Sequence, residues 1–288
     1  MRRGGTEAYE AAPTAIVTDS SACLPPSIVR GFDIHAVPIL LQVGSEEFHD
    51  GVDLEPDRMY RALLDGVPVK SAAPSPLDYL DAIESCGDRP VLVITPATEF
   101  TRMHRNAALA AELAGPHVTV LDSRSAAAAQ GLVVAAAAEA AAAGAGPDDV
   151  AAAAFDASVR AELVASLEST ESLRASGRVP AIALGLAGHL RLRPVFRMRQ
   201  GEVERLALPR SEEAAMARIV REWEAGGGPA ASRAAIFHAA RPARAKRLAD
   251  LLGGSPLITE FSAAMGIHTG PGVAGVAWLR PAEGEPEL

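Results

Sequence analysis

The chain has 288 residues, of which 49% are hydrophobic but only 4% aromatic; this excludes wholesale disorder and asks for a core of Ala, Val, Leu and Ile in one large or two modest domains. With 27 basic against 36 acidic side chains, the net charge of -9 opposes non-specific nucleic-acid binding. The two cysteines, Cys23 and Cys86, exclude a disulfide framework and a four-thiolate zinc site, and fit a reducing cytoplasm.

Residues 1–13 hold two arginines but no apolar stretch of secretory-signal length, and are expected to form a frayed tail. AIVTDSSA then reads as an apolar strand from Ala15 and a polar turn, in which Asp19, Ser20 and Ser21 satisfy the opening amides of a helix. HAVPILLQV, His35 to Val43, reads as a second strand. DGVDLEPDRMYRALL predicts a helix with Pro56 in its first turn and Met59, Leu63 and Leu64 on one face. A further helix over PSPLDYLDAIES leads to PVLVIT, Pro90 to Thr95, an unalternating apolar run expected of a parallel strand covered on both faces. HVTVLDS, His117 to Ser123, repeats that pattern after an Ala-rich helix, so strands alternate with helices as in a parallel sheet. Ser125 to Ala154 is low in complexity, yet Ala is the best helix former, and Gly144, Gly146 and Pro147 divide the tract into two helices.

Past about residue 160 the rhythm changes. STESLRASGR predicts a short helix ending at Gly177, and RLRPVFRMRQGEVERLALP two strands turned at Gln200 and Gly201. SEEAAMARIVREWEAGGG is an amphipathic helix capped by Ser211, with Met216, Ile219, Val220 and Trp223 on one face. The AAIFHA strand, the ARAKRLADLLGG helix and the VAGVAWL strand complete a second α/β unit. The chain therefore divides into an N-terminal α/β domain, residues 14–160, and a C-terminal one, residues 161–288.

Walker A, HExxH, CxxC and GxSxG signatures do not occur, and no metal site or cofactor is expected. Gly270-Pro271-Gly272-Val273-Ala274-Gly275 matches GxGxxG by letters, but a strand follows it where a dinucleotide loop must open a helix. His268 precedes that turn, where glycines let backbone approach a ligand and an imidazole can donate to an anionic oxygen. Ser71 in KSAAPSP, and Thr98 with Thr101 in ITPATEFTR, offer hydroxyls in loops; the latter two lie just past a candidate parallel strand, at the end where open α/β sheets bind ligands. The bland reading of each is a helix N-cap. Arg178, after the glycine that ends its helix, is either a helix-end or interdomain tie or a site residue, and Arg193 and Arg210 also fit a plain solvated face.

These segments together resemble the DegV family of bacterial lipid-binding proteins over about residues 15 to 279. VTDSSACLP resembles the family's TDSTADLP, FHDGVDL its YxDGxDI, SAAPSP its TSQPSP, and VITPATEFTRMHRNA its ISSxLSGTYQSA stretch; VLDSRSA, LRASGRV, LRLRPVF and IHTGPGVAG resemble VIDSxxA, LxKGGRI, LLKIKPIL and AHxGPGxxG. The resemblance implies a two-domain fold, an N-terminal three-layer α/β/α domain with a parallel sheet and a C-terminal α/β domain with a mixed sheet, holding a long-chain fatty acid in a tunnel between them. It implies that Ser71, Thr98, Thr101, Arg178 and His268 bind the carboxylate, beside the glycine turn of Gly270 and Gly272. It further implies a non-catalytic cytoplasmic carrier that presents the acid to a separate ATP-dependent fatty acid kinase, with Arg193 and Arg210 at the docking surface. Nucleic acid is not an expected partner, and membrane contact would be peripheral and transient. Where the family has SGTYQS this chain has Thr101-Arg102-Met103-His104-Arg105-Asn106, so an arginine replaces a glycine beside the expected carboxylate, either as a clamp or as a plug. The competing expectation is a hydrolase or transferase in which His268 and a nearby Ser or Thr serve as base and nucleophile on an acyl or phosphoryl substrate.

Overall fold

A computed structural model of the chain describes residues 13–168, 192–254 and 256–282; the helix expected to end at Gly177, and Arg178 with it, lie outside the described residues. Strand β1 (Ala15–Asp19) passes through a 3-10 turn and helix α1 (Pro26–Gly31) to β2 (His35–Val37), which lies parallel beside β1. Pro38 has no amide to donate to a ladder, and the chain leaves the sheet there. The run read as one strand from His35 to Val43 is thus two strands in different sheets: β3 (Leu40–Val43) joins β4 (Glu46–His49) and β5 (Val69–Ala72) in a small antiparallel sheet ordered β4-β3-β5. Between β4 and β5 lies α2 (Pro56–Leu64), which buries Met59 and Tyr60; Leu64, expected on the covered face, is 74% exposed because it falls at the end of the last turn.

Helix α3 (Pro76–Glu84) opens on a capping box in which Ser75 and Asp78 serve each other's amides. It leads to β6 (Val91–Thr95), on the other side of β1, and α4 (Met103–Ala114) leads on to β7 (Val118–Asp122), giving a parallel sheet ordered β2-β1-β6-β7. β1 and β6 are buried at every position, as their nearly unbroken apolar sequence requires. The Ala-rich tract forms α5 (Ala127–Ala142) and α6 (Pro147–Arg160). α5 is apolar except at Gln130 and Glu139 and packs against both large sheets, which small side chains permit at close range.

After α6 the chain enters the second large sheet with β8 (Ala161–Ser166), followed by β9 (Val195–Arg199) and β10 (Glu202–Ala207), turned at Gln200 and Gly201, both with positive φ. Helix α7 (Glu212–Ala225), capped by Ser211, precedes β11 (Ala234–His238), α8 (Pro242–Leu252), β12 (Leu257–Glu260), α9 (Ala263–Thr269) and β13 (Ala274–Leu279). The order is β10-β9-β8-β13-β11-β12, antiparallel except for the β11–β12 pair. One hydrophobic cluster runs through both lobes, and a second, centred on Trp278, Ile236, Ile219 and Leu248, fills the space under α7 and α8.

Candidate functional site

In the parallel sheet the chain moves from β1 to β2 on one side and later to β6 on the other. The carboxyl ends of β1 and β6 therefore flank a switch point, the place where such sheets leave a crevice for ligands. The residues just past those ends, Ser21 after β1 and Pro96, Phe100 and Thr101 after β6, line a cavity of about 150 Å³. Ser71 on β5 adds a third hydroxyl. The other lobe closes the space with Met265, His268 and Thr269 of α9 and with Met198 and Val203 of the β9–β10 hairpin. The wall is mainly apolar, with Met103, Met198 and Met265 as its deformable members.

Ser71 Oγ and His268 Nε2 are 3.0 Å apart, so two residues from different lobes are coupled by a hydrogen bond. The short helix α9 that carries His268 is fixed at its start by two oxygens: Ser262 Oγ accepts from the Met265 amide at 3.3 Å, and Asp50 Oδ1 accepts from the Ala264 amide at 3.2 Å. Asp50 also accepts from Ser20 Oγ at 2.7 Å, which ties α9 to the end of β1. Gly266 lets α9 lie directly on α2; a Cβ there would come within 2.6 Å of Met59 Cε. Gly270 then ends the helix by donating to the Gly266 carbonyl at 2.8 Å.

Beneath Ser21 lies a buried polar knot. Asp19 accepts from the Ser21 amide at 3.0 Å, from the Ser21 hydroxyl, and from Gln130 Nε2 at 3.3 Å. Burial pushes its carboxyl up to about 6, against the lowering effect of those hydrogen bonds. Burial also raises Asp50. Tyr79, whose hydroxyl faces Asp19 without hydrogen-bond geometry, is raised by burial first and by that carboxylate second. The negative charge of Asp19 behind the cavity is thus reduced at mildly acidic pH, and the polar groups facing into the cavity are hydroxyls and one imidazole.

Of the residues named from the sequence, Ser71, Thr101 and His268 share this cavity. Thr98 does not line it: exposed, it donates from Oγ1 to Asp122 Oδ2 at 2.9 Å. Arg178 lies outside the described residues. Arg102 is exposed at the start of α4 and does not line the cavity, so the space is not plugged by it. Gly272, with φ 96, brings its backbone against Glu168, whose Cβ would sit 2.6 Å from a Cβ at that position. Arg193 and Arg210 are neighbours through the Arg193 amide, which donates to the Pro209 carbonyl at 2.8 Å; Arg210 is exposed, while Arg193 is held near Glu168 and Glu212. Sequence reasoning assigned Ser21 only to a turn and left Thr269 and Asp50 aside; the one signal for Ser21 was its place at the carboxyl end of β1.

Among the described residues no group of three or more His, Cys, Asp or Glu side chains is placed to hold a metal ion, and no helix is long and apolar enough to cross a membrane. A DegV domain-containing protein of Streptomyces coelicolor is 31% identical over 273 residues, covering 91% of this chain and 96% of that protein. Solved structures of the same shape include a DegV family protein of Thermus thermophilus described by its fatty acid binding, with TM-score 0.86 at 24% identity over 93% of this chain and 100% of that one. DegV of Bacillus subtilis, described as a fatty acid binding protein, superposes with TM-score 0.84 at 20% identity over 94% of this chain and 100% of its own. The profile described as "uncharacterised protein, DegV family" matches residues 13–281, and the chain belongs to the DegV family.

Proposed function

We propose that this chain binds a long-chain fatty acid, with the acyl chain between the lobes and the carboxylate at Ser71, Thr101 and His268, and presents that carboxylate to a separate ATP-dependent fatty acid kinase. The observation that carries the reading is the Ser71–His268 hydrogen bond at the wall of a mainly apolar, methionine-rich cavity. Each CH₂ removed from water contributes about 0.8 kcal/mol, so a chain of about 16 carbons supplies on the order of 12 kcal/mol before the costs of binding. The carboxylate cannot be buried bare, and hydroxyl and imidazole donors satisfy it. The family's description as fatty-acid-binding in Thermus and Bacillus supports the ligand class. At about 150 Å³ the cavity is smaller than the roughly 300–1,000 Å³ of typical ligand pockets, so a full acyl chain enters with rotation of Met103, Met198 and Met265. In the same reading the carrier is cytoplasmic, Arg178 backs the head group, and Arg210 with Arg193 meets the kinase.

Mass spectrometry of protein purified without added lipid is expected to release a long-chain acid. Ser71→Ala/His268→Ala is expected to weaken fatty acid binding at least about tenfold, the scale of one lost hydrogen bond to a charged group. Protein that carries no acid, or a double variant that binds like wild type, would remove this site. The 3.0 Å approach of Ser71 to His268 also has the geometry of a nucleophile and its base; turnover of acyl phosphates or esters by the protein alone, abolished in the same variant, would replace the carrier reading with a catalytic one.

A further inference from the structure

Helix α8 begins Arg241-Pro242-Ala243-Arg244-Ala245-Lys246-Arg247, with no acidic residue in its first turn. A helix N-terminus carries partial positive charge and favours anions, so four cations in this stretch are in electrostatic conflict with the helix itself. Other elements supply part of the missing negative charge. Glu212 of α7 lies 3.2 Å from Arg244 Nε, and Glu168, after β8, lies 3.1 Å from Arg241 Nη2. Arg193 approaches both carboxylates, at 3.6 and 3.9 Å. Three guanidiniums thus share two carboxylates at the positive end of a helix.

Arg244 is the most deeply buried of the three. It is only 6% exposed; Nη1 donates to the Gly272 carbonyl, and Nη2 is enclosed with no hydrogen-bond partner. Arg193 Nη1 is likewise enclosed without a hydrogen bond. Buried guanidinium nitrogens left without a hydrogen bond are costly, and a set of arginine forks with spare donors matches the several oxygens of a phosphate. We propose that Arg193, Arg241 and Arg244, at the first turn of α8, form a binding site for a phosphate-class oxyanion, which displaces Glu168 from them. The site lies outside the acyl cavity, which none of these three arginines lines, and does not depend on the fatty acid reading.

Calorimetric titration of the full chain with inorganic phosphate, at ionic strength held constant with chloride, is expected to show saturable one-site binding. Arg241 is largely exposed, with 47% of its side chain accessible, so Arg241→Gln leaves the fold intact; it is expected to weaken phosphate binding about tenfold. Glu168→Gln, which removes the competing carboxylate, is expected to tighten it. Dodecyl phosphate and ADP, titrated separately, distinguish a lipid from a nucleotide as the source of the phosphoryl group, and a response to either that is lost in Arg241→Gln supports the site. Absence of saturable phosphate binding, or wild-type affinity in both variants, overturns it.

Discussion

Asp19 gives the most direct test of the buried knot behind the cavity. Its carboxyl is 1% exposed and pushed from 3.8 to about 6 by burial, so the folded protein holds a proton that the unfolded chain has released between those values. The protonated carboxyl therefore contributes stability that is fully present below about pH 4 and is lost as pH rises through about 6. A displacement of about two units corresponds to about 3 kcal/mol at 1.36 kcal/mol per unit. Asp19→Asn replaces the titrating group by an amide that cannot ionise. Its carbonyl can keep the Ser21 amide, while Gln130 must exchange its amide ends to accept from the new NH₂; that rearrangement is a fixed offset at every pH. Asp50 titrates in both proteins and largely cancels in their difference. Urea unfolding from pH 4 to pH 8 should show wild type losing about 2 kcal/mol relative to Asp19→Asn, most of it between about pH 4 and 6 and little above pH 7, on the scale set by that displacement. A gap between the two proteins that stays constant over this range, or moves the other way, refutes the assignment of the carboxyl as a buried, high-pKa group.

Asp50→Ala strands the Ser20 hydroxyl and the Ala264 amide, and is expected to cost about 2–4 kcal/mol and to weaken fatty acid binding through α9, read by urea midpoint and by ligand titration. Gly272→Ala places a side chain at φ 96 and against Glu168, and should lower stability by about 2 kcal/mol; an unchanged midpoint contradicts the close approach. Thr98→Val removes the hydroxyl's contacts to Asp122 and Glu99 and should leave fatty acid affinity within about twofold of wild type, on the scale of contacts that do not reach the ligand. Gln200→Ala deletes the 2.6 Å bond from its amide to the Ser158 carbonyl, and should speed hydrogen exchange in β9 and β10 while leaving β11 and β13 protected.

The sequence made some elements plain and hid others for identifiable reasons. β1 and β6 were legible because a parallel strand covered on both faces must be apolar at every position, and AIVTD and VLVIT nearly are. β4, β5 and β12 were not: EEFH, VKSA and LITE are four residues each and mostly half-exposed or exposed, so neither length nor alternation marks them. α9 was hidden because AAMGIHT has a glycine in its middle, which weighs against a helix by propensity; packing against α2 is what requires that glycine. In the site, Ser71, Thr101 and His268 were named because the short motifs around them resemble those of the family, although Ser71 and His268, read as lying in or beside loops, sit on β5 and α9. Thr98 sits in the same motif as Thr101, but the register that sets Thr95 opposite Asp122 puts a carboxylate within reach of its hydroxyl, and strand register is not visible in a single sequence.

The composite origin of the cavity decides how it must work. Ser71 and His268 are 197 positions apart in the chain and meet at 3.0 Å, so the polar pair exists only while the lobes are docked. Asp50 sets α9 against the end of β1 on one side. On the other, the β9–β10 turn is pinned at its tip, where the Gly201 amide donates to the Arg124 carbonyl at 2.7 Å and Arg124 donates back to the Gln200 carbonyl at 2.9 Å. The buried anchor at Asp50 resists opening, because separating it exposes a desolvated carboxylate and an unpaired amide together. The hairpin tip has only hydrogen bonds that water can replace, each with a net value of about 1 kcal/mol. On the proposed reading, the chain is therefore admitted by rotation of the Met198 and Val203 side chains on a hairpin whose strands stay in the sheet, while the Ser71–His268 pair keeps its geometry.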